Sequence, residues 1–489
     1  MVSYIVTGGT GFLGRRVVQR LLDSDSAAIV HVLVRAESLA KFHELATGWT
    51  GSERVFALVG DLTADRLGLR TSAPKADHVV HLGAVYDLTA DEQTARRANV
   101  EGTRAVLDLA RECGAVLHHV SSIAVAGDHR GAFFEEDFDL GQNLTSPYHR
   151  TKFAAEKIVR ASSGVRWRIY RPSIVVGDSR TGEMDKIDGP YYFFPAIAAL
   201  AGLPELPIPL PDLGATNIVP VDYVAAAMVA LIGRRGLDRR TFHLVNPHPQ
   251  PFGDIYRALA AAAGAPTGIG VLPGSASALG VLARLPGVAG VRDFLFDRLG
   301  IPAEVAPHID IPSRFVCDST RAQLRGTGIE VPEFDTYAAT LWQYWRTHLD
   351  PNRRRASAEV RMPLVRTPMI GPTDLYRSLP VADPDQAAAI VVRALAERPD
   401  RIDTPVGAFA QAVDLLMPSV KRSIMHQGYR LFGESSAAQG ISALPAATGN
   451  GSELASGTAL TALAPVLRPL MAMPGPAARV ARIVPGLRW

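Results

Sequence analysis

The 489-residue sequence predicts an α/β fold whose centre is a doubly wound parallel sheet that begins at the N-terminus. Short β-branched runs in the first half alternate with segments of helical period, which is typical of β-α-β units. A glycine-rich segment, Thr7–Gly14, joins the first of these runs to the first helical pattern. A glycine turn between a strand and a helix is where such sheets bind a dinucleotide.

Six strands are predicted from short apolar runs, because strands of a parallel sheet are covered on both faces and carry continuous hydrophobic sequence. These runs are Val2–Thr7, Ile29–Val34, Val55–Val59, His78–Leu82, Ala115–Ser121 and Val165–Tyr170. Helical patterns are predicted at Phe12–Leu22, Glu92–Glu112, Val221–Ile232, Phe252–Ala263 and Asp335–Leu349. From about Gly177 to Pro220 the pattern gives way to Gly, Pro and aromatic residues, which predicts either a substrate-facing excursion or a long surface connection.

The domain organisation follows from shifts in composition. We expect one large domain over residues 1–350, with a smaller substrate-binding region mainly in 177–220 and 250–349. The apolar stretch 264–300, broken by Gly and Pro, predicts helical hairpins on the core rather than membrane-surface contact. After a polar linker at 351–357 we expect a mainly helical C-terminal unit over 358–435, with a strand at Val360–Val365 and a helix at Asp385–Leu395, then a disordered tail over 436–489.

Composition excludes several classes of protein. Hydrophobic residues make up 47% and charged residues 20%, and the net charge is +3, so neither a disordered chain nor a nucleic-acid-binding protein is indicated. Two cysteines provide no disulfide framework and no cysteine zinc site. The N-terminus lacks a signal-peptide pattern, and no apolar run is long enough to span a bilayer. We therefore expect a cytoplasmic protein, with membrane-surface contact by the last residues as the alternative to a solvated tail.

The glycine turn is the first candidate site. Gly8, Gly11 and Gly14 are spaced G-x-x-G-x-x-G, and glycines let the backbone approach a pyrophosphate at a helix N-terminus. An ordinary tight turn also uses glycine, but this turn lies between a predicted strand and a predicted helix. We therefore expect Thr10, Phe12 and Leu13 to take part in cofactor binding as well.

The end of the second strand distinguishes NADP from NAD. A carboxylate there binds a ribose 2′-hydroxyl, whereas an arginine accommodates a 2′-phosphate. Arg35 occupies this position, Arg15 is a second basic candidate and Glu37 is a competing ligand, so we expect NADP(H) as the cofactor. Asp61 and Leu62, after the third strand, are expected to hold the adenine, with a helix cap as the alternative role of Asp61.

The catalytic candidates follow the fifth strand. Ser122 comes directly after it, and Tyr148 and Lys152 are four residues apart on one helix face. A nearby ammonium favours the phenolate and brings a tyrosine into range for proton transfer, while a serine hydroxyl can hold a carbonyl oxygen. Of the twelve tyrosines, Tyr148 alone has a lysine four residues later. The glycine turn together with Ser122, Tyr148 and Lys152 predicts hydride transfer between a nicotinamide and a carbonyl or alcohol.

These motifs resemble the extended branch of the short-chain dehydrogenase/reductase superfamily, with its Rossmann-type fold, over about residues 1–350. Further matching pieces are His81–Ala84, Asn99, Val120–Ile123 and Arg171-Pro172. The resemblance implies that Tyr148 is the acid/base and that Lys152 lowers its pKa and holds the nicotinamide ribose. It also implies that Ser122 binds the substrate oxygen, that Asn99 supports a proton-relay water and that Gly83 contacts the cofactor. The extended branch usually has Ala at the position of Gly83.

Within that branch the sequence is similar to fatty acyl-CoA reductases and to thioester-reductase domains, through Leu33–Arg35, the Ser122 strand end and the insertion Gly177–Phe194. The resemblance implies NADPH-dependent reduction of a long-chain acyl thioester, an acyl-CoA, to the aldehyde and then to the alcohol if a second hydride is added. The hemithioacetal collapses without a cysteine nucleophile, so Cys113 and Cys317 are interpreted as core residues. The segment Tyr191–Pro211 is expected either to line an acyl groove or to pack in the core.

Other functions remain open from the sequence. A hydroxysteroid or other alcohol dehydrogenase, or a nucleotide-sugar epimerase, would use the same three residues. A dinucleotide-sensing module would need no acid, so the intact Ser/Tyr/Lys set disfavours it. The C-terminal unit resembles the end of a second, shorter short-chain dehydrogenase module that lacks its own glycine turn and Y-x-x-x-K. We assign it no chemistry and expect a packing or homodimerisation role.

Overall fold

A computed structural model describes residues 1–84, 92–185, 191, 193–201, 208–210, 215–271 and 312–350, together with short pieces between 359 and 402. The chain divides into two compact units. The first comprises Met1–Ala196, Pro209–Ala263 and Ile269–Asp350. The second comprises Ile197–Ile208, Gly264–Gly268 and Pro351–Trp489. The predicted disordered tail lies outside the described residues, and the predicted domain boundaries and the predicted linker stay predictions.

A seven-stranded parallel sheet forms the centre of the first unit. Its strands are β1 (Ser3–Thr7), β2 (Ile29–Val34), β3 (Val55–Val59), β4 (His78–His81), β5 (Val116–Val120), β7 (Arg166–Pro172) and β12 (Arg240–Leu244). Their spatial order is β12-β7-β5-β4-β1-β2-β3, so the chain starts in the middle and winds outward in both directions. This order confirms the predicted doubly wound α/β fold.

Ten α-helices are described between residues 12 and 348. They are α1 (Phe12–Ser24), α2 (Leu39–Thr47), α3 (Glu92–Arg96), α4 (Gly102–Cys113), α5 (Pro147–Ala161), α6 (Phe194–Leu200), α7 (Val221–Gly233), α8 (Phe252–Ala263), α9 (Asp318–Leu324) and α10 (Ala338–His348). Val6, Val32 and Val80 face one hydrophobic core together with residues of α1 and α7. Ile5 and Val79, which point the other way, share a second core with residues of α4. The alternation of side chains along each strand produces these two cores.

Eight further short strands form two-stranded pairs outside the seven-stranded sheet. They are β6 (Gly131–Phe133), β8 (Ile174–Val176), β9 (Ile208–Leu210), β10 (Ala215–Thr216), β11 (Ile218–Pro220), β13 (Gln250–Pro251), β14 (Ile269–Val271) and β15 (Ser313–Phe315). In the second unit the described elements are β16 (Glu359–Val360), β17 (Leu364–Val365), β18 (Val381–Ala382), α11 (Pro384–Glu397) and β19 (Arg401–Ile402). There, β16 pairs with β19 in parallel, as does β17 with β18.

The sequence predicted the six strands to within two residues at each end and missed the seventh. β12 reads Arg-Thr-Phe-His-Leu, and its polar residues conceal a strand that is completed by parallel pairing with β7. The predicted single helix Glu92–Glu112 is wrong in one respect. It is interrupted by a π-helical turn at Arg97–Glu101. In the second unit only the two ends of the predicted strand Val360–Val365 are described, and the predicted helix there begins at Pro384.

Membrane-spanning helices are not found, since none of the helices among the described residues is both long and apolar enough to cross a bilayer.

Four histidines are buried in the central strands. His81 on β4 and His119 on β5 are 2% exposed, and His118 and His243 are fully buried. Burial lowers the pKa of His119 to about 3 and that of His243 to about 3, and it holds the pKa values of His81 and His118 well below their ordinary range. These side chains are therefore neutral in the folded protein.

The free energy of unfolding should fall as pH is lowered below about 6.5. The unfolded chain binds protons at that pH and the buried histidines do not, so each histidine removes about 1.4 kcal/mol per pH unit. Urea unfolding at pH 7.5, 6.5 and 5.5 measures the slope. The ring nitrogens of His119 have no hydrogen-bond partner among the described residues. A substitution of His119 therefore removes a titratable group without breaking a hydrogen bond. His119→Phe should reduce the slope by about one proton, and an unchanged slope would contradict the assignment.

Candidate active site

Several candidate residues lie at the carboxyl ends of the central strands. Thr7 ends β1, and Gly83 and Ser122 each come two residues after a neighbouring strand, β4 and β5. Because β1 lies beside β4 and β4 beside β5, these ends share one edge of the sheet. A crevice outside the carboxyl ends of the strands is the usual ligand site of an open α/β sheet.

The glycine turn has no room for side chains at two positions. Gly8 has φ +71°, a left-handed conformation that favours glycine, and a Cβ there would lie 2.7 Å from the backbone nitrogen of Gly83. A Cβ on Gly14 would lie 2.0 Å from the carbonyl oxygen of Gly8. Helix α1 therefore starts directly against the turn. Its N-cap, Gly11, makes no side-chain capping bond, and its first turn contains no acidic residue. This bare helix N-terminus fits a dinucleotide pyrophosphate.

The extended branch usually has Ala at the position of Gly83, but this structure has no space for an alanine Cβ there. A Cβ at this position would lie 2.5 Å from Cδ1 of Leu62 and 3.0 Å from Oγ1 of Thr7. Leu62, a predicted cofactor residue, thus fills the space that an alanine would take. The backbone N–H of Gly83 donates to Oγ1 of Thr7 at 3.1 Å.

Arg35 lies where the sequence predicted it, directly after β2. Its side chain is 60% exposed and forms an ion pair with Glu37 at 3.2 Å, so the competing carboxylate is its neighbour. Asp61 follows β3 on the same edge, because Val34 and Val59 pair at the ends of their strands. The Asp61 carboxylate accepts hydrogen bonds from the N–H and hydroxyl of Thr63, at 2.7 and 2.8 Å. These bonds lower the pKa of Asp61, and the charge of Arg35 contributes to the shift.

Arg15 is engaged elsewhere. Its guanidinium contacts Glu183 at 2.8 Å and Asp185 at 2.6 Å, and neighbouring Arg16 contacts Glu183 at 2.9 Å. The acidic residues belong to the insertion after β8, so these ion pairs fasten the insertion to α1. Of the two basic candidates for a 2′-phosphate, Arg35 is the more accessible.

Ser122 begins a short 3₁₀ turn, Ile123–Ala126, and its backbone is extended. Its hydroxyl oxygen accepts from the N–H of Ala124 at 3.2 Å. This bond leaves the hydroxyl hydrogen able to point at another acceptor. The turn packs on α5, which carries the next two candidates.

Helix α5 begins immediately before Tyr148. Ser146 caps it by accepting from the N–H of His149 at 3.1 Å, and Pro147 occupies its first turn. One turn later, Lys152 is 7% exposed and its ammonium donates to the carbonyl oxygen of Val120 at 3.0 Å. Within the described residues that bond uses one of three ammonium hydrogens. Burial lowers the pKa of Lys152 to about 8, against the opposing charge of Glu156.

Asn99 lies in the π-helical turn and is 2% exposed. Its side-chain amide donates to Oγ1 of Thr151 at 3.2 Å, and the turn packs against α5. The structure thus brings Asn99 to the helix of Tyr148, with its amide directed at a neighbouring threonine.

Glu156, a buried carboxylate on α5, was not identified from the sequence. Glu156, fully buried on α5, accepts from Oγ of Ser121 at 2.6 Å, Nη2 of Arg171 at 2.6 Å and Nε of Arg160 at 2.8 Å. Burial alone would raise the pKa of Glu156, but Arg171 above all, with Arg160 and Ser121, lowers it to about 2. Arg171 is fully buried too and donates to Nε2 of His243 at 3.1 Å. The spacing of Glu156 one turn after Lys152 was the signal available in the sequence.

The described aromatic residues at the start of the Tyr191–Pro211 segment pack in the core. Tyr191 is 2% exposed and its hydroxyl accepts from the N–H of Gly177. Phe194 is fully buried against Trp342 and Trp345, with ring centroids 5.4 and 5.6 Å apart. For these two residues core packing is the observed role. Residues 202–207 and 211–214 of the segment lie outside the described residues.

Neither cysteine belongs to the candidate site. Cys317 is buried among Phe133, Val245 and Phe315, and burial raises its pKa to about 11. Cys113 ends α4, and burial raises the pKa of its thiol. Both observations agree with the interpretation as core residues.

Glu156→Gln should lower the free energy of unfolding by about 3–5 kcal/mol, because it leaves the buried charge of Arg171 without a counter-charge. Lys157 is a matched control on the same helix. Its ion pair with Asp139, at 3.3 Å, is exposed, and Lys157→Ala should cost less than about 1 kcal/mol. Urea unfolding at pH 7.5 compares the two variants, and equal losses would contradict the role given to Glu156.

Comparison with known proteins gives related sequences. The model of the Male sterility protein family, NAD_binding_4, matches residues 6–228. A linear gramicidin synthase protein of Brevibacillus parabrevis is 31% identical over 277 residues, which are 52% of this chain and 5% of that protein. Glycine betaine reductase ATRR of Emericella nidulans is 30% identical over 273 residues, which are 50% of this chain and 21% of that protein. The chain spans about a fifth or less of the length of these relatives.

A solved structure shows the same fold over most of its length. The terminal R domain from the myxalamid PKS-NRPS biosynthetic pathway superimposes with a TM-score of 0.58 and 28% identity. The superposition covers 71% of this chain and 91% of that domain. Residues 6–228 thus match the model of the NAD-binding Male sterility protein family, and the glycine turn and doubly wound sheet are those of an extended short-chain dehydrogenase/reductase fold.

Proposed function

We propose that this protein is an NADP-dependent oxidoreductase that reduces an acyl thioester to an aldehyde. The observation that supports the proposal is that α5, which carries Tyr148 and Lys152, packs on the turn that Ser122 begins, while α1 has a bare N-terminus after the glycine turn. The relatives support it, since they include a glycine betaine reductase and an R domain of a peptide and polyketide pathway.

The cofactor would be held by the chain at three places. Gly8, Gly11 and Gly14, with Thr10, Phe12 and Leu13, form the turn on which the pyrophosphate rests. Arg35 would pair with the 2′-phosphate, while Asp61, Leu62 and Gly83 would border the adenosine half. The ammonium hydrogens that Lys152 keeps beside its bond to Val120 would bind the nicotinamide ribose. A bound nicotinamide supplies the hydride.

The chain's own residues would handle the substrate oxygen. Ser122, held by its bond to Ala124, directs its hydroxyl hydrogen to the thioester carbonyl oxygen. Tyr148 gives its phenolic proton to that oxygen as negative charge develops. Lys152, whose pKa of about 8 keeps it largely cationic at neutral pH, favours the phenolate that remains. The hemithioacetal then loses its thiol and leaves the aldehyde.

The substrate we propose is a long-chain fatty acyl-CoA, with an acyl chain on another thiol carrier as the alternative. Because Tyr191 and Phe194 pack in the core, other residues of the substrate region would line the acyl groove. A second reduction would give the alcohol. NADPH consumption with acyl-CoAs, sterols and nucleotide sugars tests the proposal, and turnover of sterols or nucleotide sugars alone would overturn it. The homodimer, the membrane-surface contact and the cytoplasmic location stay predictions.

Tyr148→Phe should reduce turnover by about 10²–10⁴-fold, because it keeps the ring and removes the proton donor. NADPH binding, measured by fluorescence titration, should be preserved in this variant. Lys152→Ala should weaken both turnover and NADPH binding. Tyr344→Phe, on α10, is the matched control and should behave like wild type. Wild-type turnover in Tyr148→Phe would show that the acid is another residue.

Arg35→Asp should reverse the preference for NADPH over NADH, since a charge-assisted bond to a 2′-phosphate contributes about 1.5–3 kcal/mol, or roughly tenfold or more. The ratio of kcat/KM for the two cofactors measures this preference. Arg15→Ala should leave the ratio unchanged, because Glu183 and Asp185 hold Arg15. Equal kcat/KM values in wild type would contradict the choice of NADP.

A further inference from the structure

A buried chain of hydrogen bonds leaves the glycine turn and crosses the sheet. Oγ1 of Thr7 accepts from the N–H of Gly83 at 3.1 Å and lies 2.7 Å from Nδ1 of His81. On the other side of the ring, Nε2 of His81 lies 3.1 Å from Oγ1 of Thr103 on α4. Both polar atoms of the imidazole are thereby used.

The directions of these bonds follow from the carbonyl group of Asn99 and from the neutral state of His81. The Thr103 hydroxyl donates to the carbonyl oxygen of Asn99 at 2.6 Å, because a carbonyl can only accept. The oxygen of Thr103 must then accept from Nε2–H of His81. Nδ1 of His81 carries no hydrogen and accepts from the Thr7 hydroxyl. Because burial lowers the pKa of His81, the ring is neutral and carries its single hydrogen on Nε2.

The chain continues to the backbone of Tyr148. The side-chain amide of Asn99 donates to Oγ1 of Thr151 at 3.2 Å, and the Thr151 hydroxyl donates to the carbonyl oxygen of Tyr148 at 3.1 Å. The path therefore runs from the loop that touches Gly8 to the first turn of α5. The five side chains along it are at most 4% exposed: Thr7, His81, Thr103, Asn99 and Thr151.

Burial makes this path stiff. A buried hydroxyl or imidazole that loses its partner is left desolvated without a hydrogen bond, so each side chain in the path restricts the position of the next. The π-helical turn at Arg97–Glu101 brings the Asn99 carbonyl to Thr103 and the Asn99 amide to Thr151. His81 is the one imidazole in the path, and it joins β1 to α4 across β4.

We propose that these five side chains form a positioning network that holds the first turn of α5, and with it Tyr148, in register with the glycine turn. His81 and Thr103 are its central positioning residues. The proposal rests on Tyr148 as the acid of the proposed function. Thr103 contacts neither Tyr148 nor the glycine turn in the path described, so it would act only through its neighbours.

The test compares Thr103→Val with Thr103→Ser in the full chain. Valine has the shape of threonine without the hydroxyl, whereas serine keeps the hydroxyl. Without cofactor, amide hydrogen exchange in the peptide covering residues 147–152 should be several-fold faster in Thr103→Val than in wild type or Thr103→Ser. Equal exchange in the two variants would overturn the network, whatever the enzyme reduces.

A second readout is kcat per NADPH-binding site, with sites counted by fluorescence titration so that unfolded protein does not contribute. Thr103→Val should lose about tenfold or more, since small misplacements of a catalytic group have large effects, and Thr103→Ser should stay near wild type. A loss of stability with unchanged kcat per site would show a merely structural role and overturn the proposal. Wild type without thioester reduction would instead refute the proposed function, and hydrogen exchange would still decide the network.

If Thr103→Val does not fold, Thr151→Val interrupts the same path at its other end. Thr151→Ser is its matched control. Faster exchange at residues 147–152 in the valine variant alone would support the network, and no difference between the two would overturn it.

Discussion

The buried ion pair between Glu156 and Arg171 is the constraint on which the arrangement of the site depends. Neither side chain is exposed, and each would be very unfavourable there without the other. The carboxylate receives hydrogen bonds from the end of β5 through Ser121 and from β7 through Arg171. Helix α5 is therefore fixed against the carboxyl ends of two neighbouring strands, at the depth where Ser122 leaves the sheet.

Two of the catalytic candidates, Tyr148 and Lys152, lie on the turns of α5 that precede this pair. Lys152 lies one turn before Glu156, and Tyr148 lies one turn before Lys152. Lys152 is buried because α5 packs against the sheet. Its ammonium is therefore desolvated, and it donates to the carbonyl oxygen of Val120. The burial that lowers the pKa of Lys152 thus accompanies a bond to the last residue of β5, two residues before Ser122.

The charged groups around the glycine turn leave the N-terminus of α1 free of carboxylates of its own. The N-terminus of α1 has no acidic residue, which leaves its partial positive charge for an anion. The carboxylates of Glu183 and Asp185 lie close by but are occupied by Arg15 and Arg16. The insertion is thus attached to α1 without placing free negative charge at the glycine turn. Arg35 follows β2 farther along the sheet edge, and its ion-pair partner among the described residues is the exposed Glu37.

The sequence by itself determined the doubly wound sheet, the glycine turn and the Ser122, Tyr148 and Lys152 candidates, because these depend on local periodicity and on short spacings along the chain. It did not find β12, whose polar residues conceal a strand until β7 pairs with it. It also missed Glu156 and the path through His81 and Thr103, and it left the role of Asn99 open. Those assignments depend on contacts between residues far apart in the chain, such as Thr7 with His81 and Asn99 with Thr151. Only tertiary structure decides them, because a polar side chain gains a fixed partner and a fixed protonation state when folding removes it from water.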